Sequence, residues 1–141
     1  MNEVVIADTG PLVAFLVRRA QHHRWACETM ATFSPPLLTC EPVLAETAHI
    51  LRRHGCDTDP LLALIERGVL HVAFSVENEL TPLRQLMRRY RDQPMSLADG
   101  CVVRLAELHA RSRVWTFDSD FRVYRRLGRL VISTLMPPDS R

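Results

Sequence analysis

The segment EVVIADTGPLVAFL, residues 3–16, constrains the fold more than any other stretch of the chain. Its β-branched run 3–7 reads as a short buried strand and stops at turn chemistry in DTGP. Pro11 then suits the first turn of a helix, where a missing N–H costs nothing. The pattern recurs. Strands are expected at 37–40, 69–74, 113–117 and 130–133, and helices at 11–20, 20–32, 41–55, 57–68, 77–92, 96–111 and 120–128. Several helices open on a proline or a capping residue, and those at 41–55, 57–68 and 120–128 close on glycine. In the helix at 96–111, Leu97, Cys101, Leu105 and Leu108 form one apolar stripe. Strands alternating with helices predict an α/β fold with a parallel sheet covered on both faces. With no linker or repeat visible, residues 1–141 read as one domain.

In sheets of this kind, sites form beyond the carboxyl ends of the strands. Asp8 directly follows the first strand, and Asp118 and Asp120 follow RVWTF (113–117), so the three acids should share one rim. Either aspartate of DSD can instead cap a helix starting near Phe121, because a carboxylate accepts the free N–H groups of a first turn. Glu46 lies between Val43 and Ile50 at helical spacing, bordering the apolar stripe rather than opposing it. Asp99 is the third residue after Ser96, a capping-box spacing. Each acid alone has a structural explanation. Brought together, they would repel unless cations neutralised them. Oxygen donors without thiolate or imidazole select Mg²⁺ or Mn²⁺. Such a centre beside arginines suits phosphoryl transfer on a polyanion.

Charge narrows the alternatives. All 18 basic residues are arginine. Lysine-dependent chemistries therefore drop out: the phosphate-binding loop, the Schiff base, and the aspartyl-phosphate receivers and phosphatases of similar fold. The phosphatases also need D-x-D where this chain has DTG. Residues 1–82 carry 6 arginines against 10 acids, whereas residues 83–141 carry 12 against 6, so the basic half suits a polyanionic partner. Cys27, Cys40, Cys56 and Cys101 show no C-x-x-C pair, and His23 with Cys27 lacks a second ligand pair, so ordinary thiols are expected rather than zinc. The longest apolar run, 12–17, is too short to cross a bilayer, and no secretory leader is visible; a cytoplasmic location is the expectation.

Four stretches in order, VIADTGPLVAFL, EPVLAETAHIL, MSLADGCVVRLAE and VWTFDSDFRVY, resemble the PIN domain family, and within it the VapC-like toxins. The resemblance covers nearly the whole chain. It implies a three-layer α/β/α fold with about five parallel strands in order 3-2-1-4-5. It also implies a metal-dependent ribonuclease whose acidic quartet is Asp8, Glu46, Asp99 and Asp118, binding Mg²⁺ or Mn²⁺. Asp120 matches a more variable fifth acid, either assisting a second ion or capping a helix, while Thr9 and Thr116 stand as supporting hydroxyls. Gly100 occupies a position where many relatives have alanine. Retention of all four acids argues against a non-cleaving RNA-binding module. Candidates for RNA phosphate contact are Arg84, Arg88, Arg89, Arg91, Arg122, Arg125, Arg126 and Arg129. The resemblance further implies an antitoxin partner and a homodimer. The apolar segments 11–30 and 59–68 are the candidate interface.

Overall fold

The computed structural model describes residues 3–138. In chain order the elements are β1 (Val4–Ala7), α1 (Thr9–Leu16), α2 (His23–Met30), β2 (Leu37–Thr39), α3 (Glu41–Arg53) and α4 (Asp59–Glu66). They continue with β3 (Leu70–Val72), α5 (Leu80–Arg89), α6 (Leu97–Leu108) and β4 (Ser112–Trp115), then a single 3₁₀ turn, Ser119–Arg122, and β5 (Arg125–Arg126), β6 (Leu130–Val131) and β7 (Thr134–Leu135). Five strands form one parallel sheet in the order β3-β2-β1-β4-β7. This is the expected α/β architecture and strand order, with β7 as the fifth strand. Chain travel reverses after β3, and the successive β1 residues Val5, Ile6 and Ala7, which point to opposite faces, are all buried, so both faces of the sheet are covered.

β1 lies at the centre of the sheet, with Ile6, Ala7 and Val5 buried, because both of its faces are covered. Its register against β4 pairs Ala7 with Trp115, so the two strands end level. The Asp8 N–H extends that ladder by one more bond, to the Trp115 carbonyl at 3.0 Å. The order of neighbours reverses between β1 and β4, which opens a crevice at their carboxyl ends.

Three expectations change. The region 120–128 is not a helix: after the 3₁₀ turn the chain pairs β5 with β6 in a tight antiparallel hairpin. Leu127 (φ 51°) and Gly128 (φ 77°) form its turn in the left-handed region, where only glycine rests without cost. The Leu127 N–H donates to Glu107 Oε2 at 2.7 Å, and this anchor holds the turn on α6. Consequently the closing strand is not 130–133 but Thr134–Leu135, parallel to β4.

The apolar stripe of α6 also shifts. Cys101 and Leu105 are fully buried, but Leu97 and Leu108 are about half exposed, and Ala98, Val102, Val103 and Ala106 are buried instead. Small residues let α6 sit close to its neighbours: a Cβ on Gly100 would stand 2.7 Å from Met87 Sδ on α5. In α1, Leu12, Val13 and Ala14 belong to the core, which leaves Leu62 as the exposed large apolar side chain of the two early segments. Among the described residues, no helix is long and apolar enough to cross a membrane.

Candidate active site

At the crevice between β1 and β4 lies a cleft of about 260 Å³ lined by Asp8, Thr9, Glu46, Asp99, Phe117 and Asp118. Its four carboxylates come from four places: the end of β1, the middle of α3, the first turn of α6 and the segment after β4. All four acids of the expected quartet are therefore brought together.

Each carboxylate is held by its own hydrogen bonds. Thr116, fully buried, donates its hydroxyl to Asp8 Oδ2 at 2.7 Å and accepts the Asp118 N–H at 2.9 Å. One side chain thus links the ends of β1 and β4. Thr9 donates to Glu46 Oε1 at 2.9 Å, tying α3 to the start of α1. Asp99 forms the expected capping box: its N–H donates to Ser96 Oγ, and its Oδ2 accepts from the Ser96 N–H. The same Oδ2 accepts from the buried Tyr124 hydroxyl at 3.3 Å, so these bonds leave Oδ1 for the cleft. Capping and cleft-lining are not alternatives at Asp99. Both supporting threonines act on quartet members.

The DSD aspartates divide differently from expectation. Asp118 lines the cleft and is also the cap, its Oδ1 accepting the Asp120 N–H at 2.9 Å at the start of the 3₁₀ turn. Asp120 does not line the cleft; its charge falls on Tyr124, whose hydroxyl burial pushes above the usual phenol range, with Asp99 and then Asp120 adding to it.

Burial and crowding have an electrostatic consequence. Asp8 is 6% exposed, and burial pushes its carboxyl up to about 6; the charges of Asp99 and Asp118 add to this, while Thr116 and the Thr9 N–H oppose it. Burial raises Asp99 as well, with Asp118 contributing. A nearby cation would relieve both. The donors are carboxylate oxygens backed by hydroxyls, a set suited to a hard divalent cation. As positioned, no three acidic, histidine or cysteine side chains among the described residues are close enough to share one ion.

The arginine candidates separate into two groups. Arg84, Arg88, Arg89, Arg91, Arg122 and Arg129 are exposed, and Arg125 and Arg126 are half-buried. Arg125 is occupied: its Nη1 donates to the carbonyls of Arg122, Val123 and Tyr124, closing the chain between the 3₁₀ turn and β5. Arg89 packs over the hairpin turn, within contact of the Gly128 position. His23 bonds the Ala14 carbonyl through Nδ1 and meets Cys27 on its own helix, a structural arrangement. The sequence reading missed Phe117. It lies two residues beyond the end of β4, and it lines the cleft.

Comparison with known proteins agrees with this geometry. The structure resembles the crystal structure of Mycobacterium tuberculosis VapC20, titled a Sarcin-Ricin loop cleaving toxin, with a TM-score of 0.72 and 23% sequence identity. The match covers 84% of this chain and 93% of that one. Comparison with curated proteins gives no match. The family model for the PIN domain matches residues 5–127, from β1 through the turn of the hairpin and across all four acids. With the strand order and the carboxylate cleft in agreement, the chain belongs to the PIN domain family.

Proposed function

We propose that this chain is an endoribonuclease that uses Mg²⁺ or Mn²⁺ to cleave single-stranded or structured RNA, and that it is the toxin of a type II toxin–antitoxin pair. The observation carrying this reading is the convergence of Asp8, Glu46, Asp99 and Asp118 from four elements on one cleft. A binding module has no reason to keep two of four carboxylates buried beside one another at a cost in ionisation.

Asp8, Glu46, Asp99 and Asp118 would hold the cation, which when bound supplies Lewis-acid polarisation of the phosphodiester and a water of lowered pKa. The chain's own residues do the positioning. Thr116 fixes Asp8 and the Asp118 backbone, Thr9 orients Glu46, and Ser96 with Tyr124 holds one oxygen of Asp99. Exposed arginines on α5 and after β4 attract the phosphate backbone independently of sequence.

The RNA substrate and the antitoxin rest on the likeness to VapC20, a Sarcin-Ricin loop cleaving toxin, and a cytoplasmic location is part of the same reading. The homodimer is part of the same reading, with Leu62 on α4 as the apolar side chain that the early segments leave outside the core. Incubation of labelled RNA with the protein in Mg²⁺, in Mn²⁺ and in chelator tests the activity, with Asp118→Asn as control. Divalent-dependent cleavage lost in the variant supports the proposal; cleavage in chelator, or by the variant at the wild-type rate, overturns it.

A further inference from the structure

Phe117 borders the carboxylate cleft without being one of its acids. Its ring walls that cleft and also a neighbouring cavity of about 240 Å³, bounded by His22, Ser119, Arg122, Met136 and Pro137. The ring packs against its surroundings on several sides. A Cβ on Gly10 would stand 2.8 Å from it, so glycine at this position lets the ring settle against the start of α1. His22 meets it edge-on with centroids 5.1 Å apart, and Trp25 lies 5.8 Å away. Phe117 and His22 both stay partly exposed. No carboxylate lines this second cavity. Its one cation, Arg122, is exposed and forms no salt bridge among the described residues.

We propose that this cavity is a nucleoside subsite, taking one unstacked base of single-stranded RNA next to the phosphodiester that enters the carboxylate cleft. The base packs on Phe117 and His22, and Arg122 with the Ser119 hydroxyl contacts the adjoining phosphate. The inference rests on the nuclease reading of the cleft and adds the part of the substrate read beside it. Three features favour this occupant. The ring is common to both cavities, so they adjoin, as sites for successive nucleotides must. An aromatic face with a free guanidinium matches a base and its phosphate, and stacking of this kind is worth roughly 5- to 100-fold in affinity per base. A base must also leave its helix to be stacked in this way, which selects loops and single strands over continuous duplex.

The test uses single-stranded oligoribonucleotides carrying 2-aminopurine at successive positions, bound in Ca²⁺, together with steady-state cleavage in Mg²⁺. Wild type, Phe117→Leu, His22→Ala and Arg122→Ala are compared, with Arg67→Ala, an exposed arginine beyond the end of α4, as control. The expected result is a rise in emission at one position, where the base leaves its neighbours, that Phe117→Leu abolishes. His22→Ala and Arg122→Ala should raise KM roughly 5-fold or more while kcat stays near wild type. Arg122→Ala should also flatten the salt dependence of binding by a slope of about 0.7. Should Phe117→Leu lose its fold by melting temperature, the other two variants decide. Cleavage by wild type with no position brightened, or with KM unchanged in His22→Ala and Arg122→Ala, overturns the subsite and leaves the nuclease reading standing. A Phe117-dependent rise in emission without cleavage in any divalent cation removes the nuclease reading and keeps the cavity as an RNA-binding feature.

Discussion

Thr116 and Asp8, 108 residues apart in sequence, share a buried 2.7 Å hydrogen bond that joins the ends of the two central strands. The same hydroxyl accepts the Asp118 N–H, so one small side chain positions two of the four acids. Thr116→Val is nearly isosteric but leaves both partners unsatisfied. It should cost about 1–3 kcal/mol in chemical denaturation and lower cleavage well below wild type. Thr116→Ser should retain most of both. Equal activity for the valine and serine variants would detach Thr116 from the site.

The raised pKa of Asp8 predicts how the metal-free protein responds to pH. Its folded value of about 6 lies above the ordinary 3.8, so the folded state holds this proton more tightly than the unfolded state. Stability is therefore greatest at the acid end of that window and falls as pH rises from about 4 to about 6, by up to about 3 kcal/mol from this group. Asp99 acts in the same direction. Denaturant titrations of wild type and Asp8→Asn in chelator isolate the effect. The variant should lose much of this slope and be the more stable of the two at pH 7. Parallel profiles would contradict the burial argument.

Asp99 carries two loads, one per oxygen. Asp99→Asn keeps an acceptor for the Ser96 N–H and loses the charge, so the capping box should weaken by less than about 1 kcal/mol. Relief of carboxylate repulsion offsets that loss, and the melting temperature in chelator should stay level or rise. Cleavage should fall by orders of magnitude. A destabilised but fully active variant would confine Asp99 to capping.

The arginines predict a separation of stability from binding. Arg125→Ala removes three donations to backbone carbonyls and should destabilise the hairpin region. Arg84→Ala and Arg88→Ala touch exposed side chains and should leave stability within about 0.5 kcal/mol while weakening RNA binding and its salt dependence. Melting curves beside filter binding at two salt concentrations distinguish these outcomes. A reversed pattern would mean that the free guanidiniums are not the RNA-facing ones.

Where local chemistry and tertiary context agree, the sequence is readable. The β-branched run at the start of the chain buries Val5, Ile6 and Ala7 on alternate faces, and Ser96 with Asp99 forms the capping box that their spacing implies. The rule placing sites at strand carboxyl ends located Asp8 and Asp118 from linear position alone. Legibility ends where distant groups overrule local preference. YRRLG has helix-forming arginine and leucine, yet Glu107 captures the Leu127 N–H and Arg125 ties off the preceding carbonyls, leaving a hairpin. Residues 130–135 place apolar side chains on both sides of Ser133 and Thr134, so hydropathy cannot choose which pair joins β4; the Thr116 N–H to Leu135 carbonyl bond makes that choice. In α6 the small residues face the core because neighbouring elements enclose the helix, a fact no single stripe encodes. Phe117 carries no sequence signal beyond its place after β4.

Calorimetric titration of Mn²⁺ into the metal-free protein near pH 7.5 tests the central claim most directly, with wild type beside Asp8→Asn and Asp118→Asn. If the four carboxylates form a cation site, wild type binds with release of the Asp8 proton as pH is lowered toward 6, and each variant binds at least about tenfold more weakly. Absence of binding by wild type at millimolar Mn²⁺, or equal affinity in all three proteins, would contradict the account.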